Sequence, residues 1–127
     1  MRQIDKVVIK TEDFEKASRF YLPRDVEYAL LIVKNGKFCI QYRRDDDSVI
    51  WTSDWRDTIV SDDCVYRIQI IDFSNIILMI DNDNTVLGGT DYVAFIFMNN
   101  LFTKVSTMHD SMCIDYAFRL NKFEYEF

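Results

Sequence analysis

The sequence predicts an α+β fold, with a mainly antiparallel β-sheet of about eight or nine strands and one N-terminal helix. Three observations predict this class. Apolar and polar residues alternate in several segments that are rich in β-branched and aromatic residues, which is typical of half-buried strands. Clear helical spacing occurs in one segment, near the N-terminus. The strand-like segments are joined by short polar turns, which favours hairpins over the long crossovers that parallel strands need.

The helix is predicted over residues 11–22. Its apolar residues recur at helical spacing, and its charged residues occupy the other side. Thr11 or Asp13 can accept one of the unpaired backbone N–H groups at its start. Pro23 ends the helix, because a proline biases the residue before it away from helical angles.

The predicted strands follow in chain order. They span residues 4–9, 26–33, 38–43, 48–52, 65–73, 76–80, 92–98 and 101–105, with residues 114–127 as one long strand with a bulge or a bent pair. Residues 26–33 are apolar on both faces in their second half, which indicates a central strand. A helix over residues 110–120 is the competing prediction.

Turn signals separate these strands. Asn35-Gly36 is the strongest, because both residues tolerate positive φ and so favour a type I′ hairpin. Residues 26–52 are therefore predicted to form a three-stranded meander, with a turn at Asp45-Asp46-Asp47. Further turns are predicted at Ser74-Asn75, Gly88-Gly89 and Asn99-Asn100, and residues 53–63 are predicted to be a polar loop.

Length and composition limit the possible classes of protein. The chain has 127 residues, of which 49% are hydrophobic, and this predicts a single domain, residues 1–127, rather than a disordered chain. The formal net charge is −6 and the pI is about 4.7, which argues against binding to the phosphate backbone of nucleic acids.

Cysteine usage and the N-terminus predict a cytoplasmic protein. Cys39, Cys64 and Cys113 are odd in number and irregularly spaced, so they do not form a disulfide framework, and we expect reduced, structural thiols. Asp5 and Lys6 interrupt the start of the chain, so no secretory signal is visible. The apolar runs are too short to span a bilayer, and no membrane contact is expected.

The charges are unevenly distributed along the chain. Residues 1–44 carry ten basic and six acidic side chains, whereas residues 45–127 carry five basic and fifteen acidic ones. Residues 45–63 hold seven aspartates against one arginine, together with both tryptophans. This acidic window is the predicted partner-binding site, formed by Asp45, Asp46, Asp47, Trp51, Asp54, Trp55, Asp57, Asp62 and Asp63.

The acidic window has two interpretations. Carboxylates that steer a basic partner and aromatic anchors that become buried are the components of a protein interface. Alternatively, aspartate is simply common in turns, and the acidic loops are a solvated face. Trp51 lies in a predicted strand and can equally belong to the core, whereas Trp55 in the polar loop is the better candidate for exposure.

Motifs for catalysis or metal binding are weak. His109 is the single histidine, and its neighbours Asp110, Ser111 and Cys113 are adjacent in sequence rather than convergent from different elements. The run that starts at Asp81 resembles the opening of a calcium loop, but it lacks the glycine and the closing glutamate that such a loop needs. We therefore expect no enzyme activity, no cofactor and no metal.

Nucleic-acid binding is a minor alternative. Single-stranded nucleic acid needs a positive groove with stacking aromatics, and Phe38, Tyr42 and Arg43 are the candidates for such a groove. The acidic net charge opposes this interpretation, so no direct nucleic-acid partner is expected.

In its size, acidity, β-rich architecture and lack of catalytic motifs, the whole chain resembles the immunity proteins of bacterial contact-dependent growth inhibition and related polymorphic toxin systems. The resemblance implies a cytoplasmic toxin inhibitor whose partner is a cognate basic toxin, for example a nuclease domain. Two alternatives remain open. One is a phage or viral acidic inhibitor that mimics nucleic acid, and the other is a small ligand-binding β domain.

Overall fold

The computed structural model describes residues 5–18, 25–86, 91–97, 103–109, 112–118 and 121–122. These residues form two helices and eleven strands, and three of the strands span only two residues. The helices are α1 (Thr11–Ser18) and α2 (Ile70–Val86). The strands are β1 (Asp5–Lys10), β2 (Tyr28–Lys34), β3 (Lys37–Arg43), β4 (Val49–Thr52), β5 (Arg56–Asp57), β6 (Val60–Ser61), β7 (Cys64–Gln69), β8 (Tyr92–Phe97), β9 (Thr103–His109), β10 (Met112–Phe118) and β11 (Asn121–Lys122).

The strands form two antiparallel sheets. Sheet A has the order β10-β9-β8-β1-β6, and sheet B has the order β11-β7-β2-β3-β4, with β5 also paired to β3. The α+β class and the mainly antiparallel sheet are confirmed. Eight of the described strands have four residues or more, which agrees with the predicted number.

The meander of β2, β3 and β4 is confirmed. Asn35 and Gly36 have φ values of 54° and 76°, as a type I′ turn requires, and they set the register of Lys34 opposite Lys37. The β3–β4 turn places Asp47 at a φ of 67°. As predicted, β2 is a central strand, because it lies between β7 and β3.

The prediction of two strands over residues 65–73 and 76–80 is wrong beyond Gln69. Strand β7 ends there, and α2 continues without a turn through Ser74 and Asn75, so the described chain has two helices rather than one. The buried positions of α2 recur every three or four residues, at Phe73, Ile76, Ile80 and Asp83. Burial of this face against the core stabilises a helix despite the high β propensity of the isoleucines.

Helix α1 starts at the predicted residue, Thr11, and is described to Ser18. Phe14 and Ala17 are buried, and the Ser18 hydroxyl donates a hydrogen bond to the Phe14 carbonyl oxygen at 2.7 Å. The remainder of the predicted helix and Pro23 lie outside the described residues.

One core cluster joins the two sheets and both helices. Alternate residues of β1 and β8 in sheet A and of β2, β3 and β7 in sheet B point into it. The rings of Tyr66 and Phe97 stack at 3.4 Å between centroids, so sheets A and B touch directly there. The ring of Phe14 lies 6.1 Å from Phe73 and 5.5 Å from Phe95, which ties both helices to sheet A.

The described residues of the C-terminal part of the chain form strands. The competing prediction of a helix over residues 110–120 is wrong, because β10 pairs with β9 along seven positions. Strand β11 pairs with β7, so β10 and β11 lie in different sheets, which agrees with a bent pair rather than one long strand. Residues 119–120 and 123–127 of that prediction lie outside the described residues. The turns predicted at Gly88-Gly89 and Asn99-Asn100 lie outside the described residues. Neither of the described helices is long and apolar enough to cross a membrane.

Candidate functional site

Residues 53–63, here called the linking segment, connect the edge of sheet B to the edge of sheet A. Strand β5 pairs with β3 in sheet B, and β6 pairs with β1 in sheet A. The backbone N–H of Thr58 donates to the Gly36 carbonyl at 2.9 Å, and that of Ile59 donates to the Val8 carbonyl at 2.7 Å. The segment predicted to be a loop is therefore held to both sheets by backbone hydrogen bonds.

Three large apolar side chains of the linking segment face solvent. Trp55 is 47% exposed, Ile59 50% and Val60 55%. They are three of the seven large hydrophobic side chains that are exposed in the described part of the chain. The prediction that Trp55 is exposed is confirmed. Ile59 and Val60 were not among the predicted site residues, because β-branched side chains are most often buried.

Arg56 lies beneath this surface. Its Nη1 is 3.1 Å from the Asp13 carboxylate of α1, and its Nε is 3.3 Å from the Asp54 carboxylate. The Arg56 side chain is only 25% exposed, whereas its neighbour Trp55 points outward. Because neighbouring residues of an extended chain point to opposite sides, fixing Arg56 against α1 directs Trp55 toward solvent.

The four carboxylates of the linking segment have different partners. Lys37 Nζ lies 2.8 Å from Asp57, and this hydrogen bond and charge lower the pKa of Asp57. Asp62 accepts the backbone N–H of Lys6 at 3.0 Å, and Asp63 accepts that of Asn35 at 2.9 Å. A backbone N–H carries no net charge, so these two hydrogen bonds fix Asp62 and Asp63 without neutralising them.

Asp45, Asp46 and Asp47 form a separate acidic turn at the other end of β3. The linking segment pairs with β3 at Lys37, whereas the acidic turn follows Arg43. A strand of this length spans about 20 Å. The structure therefore does not bring the nine predicted site residues together on one surface.

The acidic turn is held by local hydrogen bonds. Asp46 accepts the backbone N–H of Ser48 at 2.9 Å, and hydrogen bonding to Ser48 lowers the pKa of Asp46. Asp47 accepts the Tyr28 hydroxyl at 2.7 Å. The exposed Asp45 lines an open cleft with Asp25, Val26, Glu27 and Arg44. Two of the three carboxylates thus stabilise the turn itself.

Trp51 packs against the core rather than projecting from the surface. Its ring stacks on the buried ring of Tyr42 at 5.5 Å, and it is half-buried. Phe38 and Tyr42, two of the candidates for a nucleic-acid groove, are both completely buried, so neither can stack on a base.

Two buried carboxylates have structural partners. Asp5 accepts the Tyr66 hydroxyl at 2.6 Å, which links sheet A to sheet B, and Asp83 accepts the Thr107 hydroxyl at 2.6 Å. No group of three or more potential metal ligands occurs among the described residues. Cys39 and Cys64 are buried and form no disulfide bond, in agreement with the prediction of structural thiols, and burial raises the pKa of Cys39 to about 11.

No protein-family model matches the chain, and the searches of curated proteins and of solved structures gave no match either.

Proposed function

We propose that this protein is a cytoplasmic immunity protein, a protein-binding inhibitor that neutralises a cognate basic toxin by covering its active or substrate-binding site. The linking segment is the proposed binding surface. One observation carries the proposal: this segment exposes Trp55, Ile59 and Val60 among four aspartates, on a backbone anchored to both sheets. The inhibitor works by binding alone, without enzyme activity, cofactor or metal.

The charge of the surface supports a basic partner. The linking segment carries four aspartates against Arg56, and within the described part of the chain Asp62 and Asp63 accept hydrogen bonds from uncharged backbone N–H groups. A toxin that holds nucleic acid presents lysines and arginines at its active site, and an inhibitor with fixed carboxylates is complementary to such a site. We therefore propose a nuclease domain as the partner.

The exposed side chains support a specific interface rather than a merely solvated face. Protein interfaces depend on a few large side chains, tryptophan prominent among them, that become buried at the centre and are surrounded by polar contacts. Trp55 is the proposed centre, Ile59 and Val60 extend the apolar area, and the carboxylates form the rim. Because the backbone is already fixed, little conformational entropy is lost on binding.

The acidic turn is assigned a secondary role. About 20 Å of β3 separates this turn from the pairing of Asp57 with Lys37, more than the Debye length of about 8 Å at physiological salt. Asp45, Asp46 and Asp47 therefore contribute to binding only if the partner extends along β3. Trp51, which lies on β4, contributes indirectly, by packing on the ring of Tyr42.

The test is co-expression of the protein with the product of the neighbouring gene. We expect the two to copurify as a 1:1 complex, the partner alone to stop cell growth, and its nuclease activity to disappear in the complex. A toxic partner that neither copurifies nor loses activity would contradict the proposal. Inhibition of a host-defence nuclease instead would support the alternative of a phage or viral nucleic-acid mimic.

The ligand-binding alternative receives no support from the described clefts. One is lined by Asp25, Val26, Glu27, Arg44 and Asp45, and another by Lys10, Glu12, Asp91 and Tyr92. Small-molecule sites are usually enclosed and mainly apolar, whereas these two clefts are open and lined mostly by charged side chains.

A further inference from the structure

Helix α2 exposes an apolar stripe that the proposed inhibitor surface does not use. Ile71 is 73% exposed and Leu78 is 64% exposed, the two highest values among the large hydrophobic side chains of the described residues. They lie seven residues apart, two helical turns, with the exposed Asn75 between them. The opposite face of the helix holds Phe73 and Ile76 in the core.

The stripe is wider than its two exposed residues. Ile70, Ile77 and Met79 beside it are partly buried, so eight of the eleven residues from 70 to 80 are apolar. Exposed apolar side chains that adjoin further apolar surface mark an interaction site. Seventeen residues give a helix about 25 Å long, enough for a partner helix of four turns.

The charge of α2 determines the kind of partner. The helix carries Asp72, Asp81 and Asp83 and no lysine or arginine. Asp83 is buried against Thr107, whereas Asp81 is exposed and Asp72 is half-buried, one on each side of the stripe. Lysines or arginines on a partner would complement this rim, as in the binding of a basic amphipathic helix to an acidic apolar surface.

A second copy of this chain fits the stripe poorly. A symmetric pair of α2 helices would bring Asp72 and Asp81 of both copies to one interface, with no basic residue on either helix. Like charges at a desolvated interface oppose association. We propose that the outer stripe of α2, centred on Ile71 and Leu78, docks a basic amphipathic helix of a partner protein. This proposal is independent of the role of the linking segment.

The test uses the purified full chain and three synthetic 14-residue peptides. The first has leucines on one helical face and lysines on the other, the second has the same composition in scrambled order, and the third has glutamates in place of the lysines. We expect saturable 1:1 binding of the first peptide by fluorescence anisotropy, and at least tenfold weaker binding of the other two.

Two double variants locate the binding. Ile71→Ser/Leu78→Ser should weaken binding of the first peptide at least tenfold, whereas the matched variant Val49→Ser/Tyr92→Ser, at exposed positions outside both proposed surfaces, should leave it within twofold. Circular dichroism checks that both variants fold. The proposal is overturned if Ile71→Ser/Leu78→Ser binds the first peptide as the wild type does, or if only the control variant loses binding. Equal binding of the scrambled peptide also overturns it. So does self-association of the wild type that Ile71→Ser/Leu78→Ser abolishes, because the occupant would then be a second copy.

Discussion

Arg56 of the linking segment forms an ion pair with Asp13 of helix α1, with Nη1 and Oδ1 3.1 Å apart although the two residues are 43 positions apart in sequence. The two side chains are only 25% and 27% exposed, so solvent screens this pair less than the more exposed pairs, such as Lys37 with Asp57. The pair connects the proposed binding surface to the helix that packs in the core through Phe14. The position of Trp55 therefore depends on α1 as well as on the neighbouring strands.

Replacing Arg56 with Met should separate binding from folding. The variant keeps the apolar stem of the side chain but removes the contacts to Asp13 and Asp54, so we expect a loss of about 1 kcal/mol in unfolding free energy. Affinity for the toxin should fall at least tenfold, because Trp55 is no longer fixed. Urea denaturation and calorimetric titration measure the two effects. Arg44→Met, which removes an exposed pair with Asp25, is the matched control. Unchanged affinity in Arg56→Met would contradict the positioning role.

The double variant Asp62→Asn/Asp63→Asn tests electrostatic steering. The amide oxygens can still accept the backbone N–H groups of Lys6 and Asn35, so the fold should be retained while two charges are lost. We expect the association rate with a basic partner to fall roughly tenfold at low salt and to depend less on salt. Stopped-flow measurements at several salt concentrations give both the association rate and its dependence on salt. Asp45→Asn in the acidic turn should change them less, and identical effects of the two variants would argue against the linking segment as the main surface.

The helical assignment of residues 70–86 predicts opposite effects at Asn75. This residue is exposed in the middle of α2, so Asn75→Pro should cost about 3 kcal/mol or more, whereas Asn75→Ala should be neutral or slightly stabilising. The two-strand alternative, with a turn at Ser74-Asn75, would tolerate the proline. Chemical denaturation of both variants therefore distinguishes the two folds, and full stability of Asn75→Pro would exclude the helix.

Stability should fall as the pH rises above about 9. Burial raises the pKa of Cys39 from its usual 9.0 to about 11, and burial also raises the pKa values of Tyr42 and Tyr66 above their usual 10.0. The unfolded chain then loses these protons at a lower pH than the folded one, so the folded state binds more protons and stability decreases with increasing pH. Denaturation curves between pH 8 and 11 measure the slope.

The variant Tyr42→Phe isolates one contribution to this slope. It removes a hydroxyl that donates to the Ser18 carbonyl at 3.2 Å, so it should lower stability at neutral pH by about 1 kcal/mol. Above pH 10 its stability should decrease less steeply than that of the wild type. If the free energy of unfolding falls equally steeply with pH in the two proteins, the pKa of Tyr42 is not raised in the folded state.

Local signals in the sequence predicted the meander but not α2. The backbone preferences of Asn35-Gly36 determine this hairpin, so the turn residues alone were sufficient to predict it. The stretch around Ile76 and Ile80 has high β propensity, and only contact with the core, through residues distant in sequence, favours the helix.

The residue types of the candidate site could be predicted from the sequence, but their arrangement in space could not. The aspartates and Trp55 are visible as an acidic segment with an aromatic residue. Their division into two groups depends on the pairing of β3 with β5 at Lys37, which places the linking segment far from the acidic turn. Exposure of Ile59 and Val60 likewise follows from the pairing of β6 at the edge of sheet A, a long-range relationship that residue type does not reveal.

The dissociation constant of the complex between Trp55→Ala and the cognate toxin, compared with that of the wild type, tests the central claim most directly. If Trp55 is the centre of the interface, its truncation should cost about 2 kcal/mol or more, roughly a thirtyfold rise in Kd, mainly through faster dissociation. Tyr92→Ala, which truncates an exposed aromatic residue on β8, is the matched control and should change Kd less than twofold. Equal, small effects of both variants would show that the linking segment is not the toxin-binding surface.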